Sequence, residues 1–311
     1  MNKWYIHAAI FSLITHTALA TVLNVTANTD TLPAGAPNEL RYALNTIIDS
    51  QARGLTPPGN TWQVNFSGVN TITLNGILPM INLFNADPIS FSSASPVTID
   101  GSSLYRGFFI AQGNISLQNM VFQNCLAKGG NGGRGSIGGG GGMGAGGALF
   151  IDQATVSLQN VQLLSNSATG GNAGTPQAGS LGAAGGGGLG GNGGDNTPGF
   201  AGGRGAAGGG GGYAGNGGAG GPSDNFLGGG GGGGGGCGNG GNGTFAGFTS
   251  FGGAGGGGGA ILGANGGNAN TQGSPTSPGT FAFGGGGGGA DSGSTLTGGS
   301  GGGTNPGAGG A

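Results

Sequence analysis

Two acids, Asp100 and Asp152, each close a short apolar run, VTID (97–100) and LFID (149–152). A pair of carboxylates is the minimum equipment for hydrolysing a glycosidic bond, provided the two sit within about 5–10 Å of each other. A lyase would also need a cationic base beside clustered acids. Lys128 is the single lysine after residue 3, and no acid cluster accompanies it. An aspartate directly after a strand more often caps the turn, and that is the reading adopted for both. Nucleophilic chemistry is poorly equipped. The two histidines, His7 and His16, precede residue 20, so the rest of the chain has no Ser-His-Asp triad, Cys-His pair or HExxH zinc helix. Lys128 borders a glycine run without the GK[ST] ending of a phosphate loop. GGNGGDNTP (190–198) and GGGGADSG (286–293) approach a calcium-coil pattern but lack its large apolar residue and its tandem copies. No catalytic residue, metal or cofactor is therefore expected. Cys125 and Cys237 form a possible disulfide in an oxidising compartment; two free thiols are the equal alternative.

What positions these residues follows from periodicity. Asn2-Lys3, the largely apolar stretch Trp4–Ile14 and Ala18-Leu19-Ala20 predict a cleaved signal peptide over 1–20. The apolar stretch is too short for a membrane span, and no second one follows. TVLNVT (21–26) alternates as a strand. In PNELRYALNTIIDSQ (37–51) Leu40, Ala43, Leu44, Ile47 and Ile48 share one helical face, with Pro37 in the first turn or Asn38 as N-cap. From Trp62 the period is two: Trp62/Val64/Phe66, Ile72/Leu74, Ile89/Phe91, Val97/Ile99, Phe108/Ile110 and Ile115/Leu117, parted by turn residues.

A repeat organises these strands. ISLQNMVFQNCLAKGGNGG (115–133) matches VSLQNVQLLSNSATGGNAG (156–174) at nine of nineteen positions, offset by 41. Removing the glycine excursion 129–147 leaves about 22 residues, the length of one coil of a β-solenoid. Ile115 then stacks near Val156 and Leu117 near Leu158. Asn119 and Asn160 are candidates for a structural ladder, since Asn tolerates a left-handed turn and stacked carboxamides bond to one another. The helix over 38–50 is expected to cover an open end of this stack.

Composition divides the rest. Of 89 glycines, 81 lie after residue 128, nine of them consecutively at 228–236. Such a tract lacks side chains for an ordinary core and is either flexible or packed as extended polyglycine strands. The expected organisation is a signal peptide (1–20), a β-solenoid module (21–174) and a glycine-rich low-complexity region (175–311) with islands AIL (260–262) and TFAF (280–283). The fold class expected is all-β: a right-handed parallel β-helix with an N-terminal capping helix. Net charge is −2 with scattered arginines, so a nucleic-acid partner is not expected.

ELRYAL (39–44), ITLNGILP (72–79), VTIDGSSLYRGFFI (97–110), GGALF (146–150) and GGGAI (257–261) together resemble passenger domains of bacterial autotransporters, especially those grouped with chlamydial polymorphic outer-membrane proteins. The likeness covers roughly 21–174. Two positions depart from the family's FxxN element: Cys125 follows Phe122 where Asn is expected, and Leu163 precedes Asn166 where Phe is expected. The ending GTNPGAGGA lacks the alternating strands of a membrane barrel, so no barrel anchor is expected. The resemblance implies an exported, non-enzymatic protein of the cell surface, outer membrane or medium (the periplasm if truncated), adhesive or coat-forming towards host-cell, matrix or neighbouring-cell surfaces. The alternatives are a glycine-rich envelope or matrix protein without a specific ligand, and a carbohydrate-active β-solenoid enzyme.

Overall fold

A computed structural model describes residues 20–56, 59–83, 87–177, 183–197, 207–221, 231, 233–235, 239–243 and 265. The proposed signal segment up to residue 19, Cys237, and the islands AIL and TFAF lie outside the described residues.

The strands are β1 (Ala20–Val25), β2 (Thr61–Phe66), β3 (Thr71–Thr73), β4 (Ile81–Asn82), β5 (Ile89–Ser93), β6 (Val97–Asp100), β7 (Phe108–Gln123), β8 (Leu126–Lys128), β9 (Leu149–Leu164) and β10 (Ser167–Thr169); the helix is α1 (Leu40–Ala52). Eight strands form one sheet in the order β1-β2-β5-β7-β6-β3, with β4 and β9 also on β7; β8 and β10 pair separately. The named pairings are all parallel.

This corrects the expected fold class. The described architecture is an eight-stranded parallel sheet with a helix, an α/β-like arrangement, and not a right-handed β-helix. The reason lies in β7. Gly113 and Asn119, which mark corners in the sequence, take φ of +131° and +54° inside a strand that continues for 16 residues. β7 gathers β4 at 110–112, β5 at 115–117 and β6 at 120–123, so runs that look separate belong to one hydrogen-bonded sheet.

Alternation sets the core. Val64, Ile72, Phe91, Val97, Ile99, Phe108, Leu117 and Phe122 are buried on one side of their strands. Phe108 bridges Phe91 and Phe122, with ring centroids 5.2 and 5.1 Å away. Burying each such ring contributes roughly 1.5–3 kcal/mol. At the β1 end, α1 places Leu40, Ala43, Leu44 and Ile47 into the same core as Val25 and Trp62.

The N-cap of α1 is Glu39, not Pro37 or Asn38. Its carboxylate makes no cap bond. It accepts from the Thr29 and Thr31 hydroxyls at 2.5 and 2.8 Å and from the Thr31 and Ala36 backbone N–H groups at 2.9 Å each. Burial alone would raise the pKa of Glu39; these donors outweigh it and bring the group from 4.5 to about 2. The folded value lies below the unfolded one, so this stabilisation is complete above the ordinary carboxylate range and is lost as pH falls towards 2. Glu39→Gln is expected to flatten the acid limb of a melting-temperature profile taken between about pH 5 and pH 2.

Candidate functional surface

The repeat places its residues as ladder neighbours. Ser116 pairs Ser157, Leu117 pairs Leu158 and Gln118 pairs Gln159. Asn119 and Asn160 come together: Asn160 Nδ2 donates to Asn119 Oδ1 at 2.7 Å, and Asn119 Nδ2 donates to the Ser93 carbonyl at 2.6 Å. Both are left-handed, at φ +54° and +51°.

A second, longer ladder runs through the glycine tract. The backbone N–H of Asn172 donates to Asn131 Oδ1, that of Asn131 to Asn192, that of Asn192 to Asn216, that of Asn216 to Asn239, and that of Asn239 to Asn265, all at 2.8–2.9 Å. Arg134 N–H donates likewise to Asp195 Oδ1 at 2.7 Å, so Asp195 belongs to this scaffold. Five of the six asparagines stand at exposed positions and Asn131 is half-buried. The signal was present in the sequence: each of these asparagines lies between glycines or alanines, and the later ones recur at about 25 residues.

The glycines between rungs bond to one another. Gly130 N–H donates to Gly188, Gly188 to Gly191, Gly191 to Gly212, Gly212 to Gly215 and Gly215 to Gly235. A parallel relay runs Gly133 to Gly185, Gly185 to Gly194, Gly194 to Gly209 and Gly209 to Gly218. Donors recur every third residue, the period of an extended threefold chain. Neighbouring chains lie so close that a Cβ on Gly130 would stand 1.8 Å from the Gly191 carbonyl oxygen, and one on Gly191 1.9 Å from that of Gly215. The result is a close-packed, bundle-like lattice of extended backbone that carries the carboxamides at mostly exposed positions.

Arg106 and Tyr213 join this lattice to the strands. The Arg106 guanidinium lies 5.2, 5.7 and 5.3 Å from the ring centroids of Phe109, Phe150 and Tyr213. Its Nη2 donates to the Leu189 carbonyl at 3.2 Å, while the Tyr213 hydroxyl donates to the Leu78 carbonyl at 3.4 Å. Burial lowers the pKa of Arg106, and the nearby Tyr213 opposes that shift. Nε and Nη1 are buried without a hydrogen-bond partner and face aromatic surface. Arg106 and Tyr213 line a cleft of about 300 Å³ with Tyr105, Lys128, Asn131 and Asn192. The arrangement fastens two structural regions; its cation is already enclosed by rings.

The two acids considered for glycoside chemistry stay apart. Asp100 accepts from the Ser102 N–H at 2.8 Å and lies within 3.4 Å of Asn124 Nδ2, the turn-capping role. It pairs with Gln123, whose neighbour on β9 is Leu164, twelve residues along that strand from Asp152.

Cys125 is a buried free thiol; Cys237, its candidate disulfide partner, lies outside the described residues. Its sulfur contacts the Gln123 and Ile99 carbonyls at 3.4 and 3.9 Å. Burial, the largest cause, raises its pKa to about 11, aided by Asp100 and opposed by backbone donors. The thiolate is the reactive form. Cys125 is therefore expected to resist a thiol reagent in the native protein at neutral pH and to react fully after denaturation, a difference readable residue by residue through mass spectrometry of labelled peptides.

Among the described residues no helix is long and apolar enough to cross a membrane. No protein-family model, curated protein or solved structure matches the chain.

Proposed function

We propose that this is an exported, non-enzymatic protein of the cell surface or the extracellular medium, acting as a coat or adhesive layer through a broad repetitive surface. The observation that carries the reading is the asparagine ladder across the glycine lattice, which presents six carboxamides in a row on a backbone scaffold. A row of identical polar groups at about 5 Å spacing suits weak, many-fold contact with a polymeric surface. The acids fit the same reading, because most have structural work: Asp30 with Arg41, Asp49 with Arg53, Asp87 with Gln51, Asp195 with Arg134, and Glu39 with its four donors. The likeness of ELRYAL and GGALF to autotransporter passengers supports export.

One observation favours the ligand-free matrix role as the second reading. The lattice satisfies its own backbone, as a structural material would. Protease added to intact producing cells, followed by detection with an antibody to residues 21–128, separates location from the rest. A shaved surface protein that also binds cells or matrix saturably supports the adhesive reading. Surface location with no saturable binding supports the matrix reading. A protected periplasmic protein sinks both.

A further inference from the structure

The far end of the sheet differs from every other layer of the molecule. Each core position of β7 has a counterpart on β9, yet none of the counterparts is fully buried: Leu149, Val156 and Val161 are half-buried, and Ile151, Leu158 and Leu163 are exposed. Leu117 is fully buried while Leu158, its partner, is 49% exposed; Phe122 is fully buried while Leu163 is 52% exposed. Among the described residues β9 has one strand partner, β7, and β10 has one, β8. From Leu149 to Gly174 no residue is buried. The opposite end is closed, since α1 packs its apolar face there.

Such an end presents unpaired N–H and C=O groups beside an apolar row, and soluble proteins normally blunt it with lysine, proline, a bulge or a covering element. β9 carries none of the first two and one charge, Asp152, in 16 residues. We propose that this end is a self-association surface, on which a second copy of the chain lays its own β9 antiparallel to the first about a two-fold axis. Three features select that occupant. A strand edge is completed by another strand. Each copy of β9 carries one charge, Asp152 near its start, and an antiparallel pairing about the strand centre sets the two aspartates about 30 Å apart, beyond the reach of significant repulsion. β9 alone, 16 residues at about 3.3 Å each and about 10 Å wide, offers roughly 530 Å² per partner, and with β10 beside it the surface approaches the roughly 800 Å² per partner of a stable interface. The helix at the other end blocks a head-to-tail arrangement, which leaves the self-complementary, closing one. This pairing is independent of where the protein resides.

The test uses the full chain, purified from the compartment where it accumulates, with mass in solution followed by sedimentation equilibrium across a concentration series. The wild type is expected to have twice the protomer mass at micromolar concentration. Leu158→Lys with Leu163→Lys, both at exposed sites, is expected to weaken the pairing by at least about 100-fold, because like charges then face each other in a desolvated strip. Hydrogen exchange needs no variant: outward amides of β9 are expected to gain protection as concentration rises, while those of β5 stay constant. A monomeric wild type, an unaffected lysine variant that keeps the native circular dichroism spectrum, or concentration-independent exchange in β9 overturns the proposal. So does open-ended polymerisation, which requires a head-to-tail contact.

Discussion

Gly130→Ala is expected to break the glycine lattice. The new methyl would stand 1.8 Å from the Gly191 carbonyl oxygen and 2.4 Å from its carbon. Both are backbone atoms, so no side chain can swing aside, and the chain 190–196 must move away. That movement stretches the bonds of Gly188 to Gly191 and of Asn131 to Asn192. The expected loss is on the order of 3 kcal/mol or more for the lattice. Because the lattice can open while the strands stay folded, the informative readouts are hydrogen exchange over 183–220 and proteolysis at the tract. Gly140→Ala is the matched control. Its added Cβ would meet nothing within 4 Å and its φ is outside the left-handed range, so it should be neutral or stabilise by about 0.4–1 kcal/mol through the unfolded chain. Equal effects of the two substitutions would remove the close-packed account of the tract.

Arg41→Ala is expected to be as damaging to the strand region. Arg41 and Asp30 are almost completely buried and form a forked pair, Nε to Oδ1 at 2.6 Å and Nη2 to Oδ2 at 2.8 Å. Arg41 also donates to the Gly76 and Ile77 carbonyls, and Asp30 accepts from the Asn75 N–H. One side chain thus ties α1, the segment before it and the turn after β3. Truncation leaves Asp30 charged and buried, along with two unmatched carbonyls, at a cost of about 3–5 kcal/mol. Arg41→Lys should recover only part, because an ammonium lacks the planar fork. Removing both charges with Arg41→Met and Asp30→Asn should cost less than Arg41→Ala alone. Urea unfolding of the three variants decides the order.

The parts of the structure that were legible in the sequence are those encoded by side-chain type. The 41-residue offset anticipates the β7–β9 register, because matching SLQN segments carry inward and outward residues in the same order. The apolar face Leu40/Ala43/Leu44/Ile47 anticipates α1. The misread parts depend on backbone or on distant partners. Whether short alternating runs join into one sheet depends on how Gly113 and Asn119 bend a strand without breaking it, and period two is blind to that. Glu39 replaces Asn38 at the helix start because Thr29 and Thr31 hold it there, a tertiary cause. Arg41 and Arg106 read as scattered charges in the sequence but are buried, one by an acid and one by three rings. The glycine lattice is specified by the absence of side chains, so only the recurring asparagines announce it.

The direction of the glycine relay has a mechanical consequence. Hydrogen bonds from Gly130 through Gly188, Gly191, Gly212 and Gly215 to Gly235 lie across the chains they join. Tension applied along those chains loads every bond of a pair in shear, and they must yield together. Tension applied across them opens one bond at a time, as a zip does. A molecule held by its glycine tract would therefore be stiff along one axis and peel readily along another. On a surface subject to flow, the axis along which the protein is tethered would decide how much force it bears.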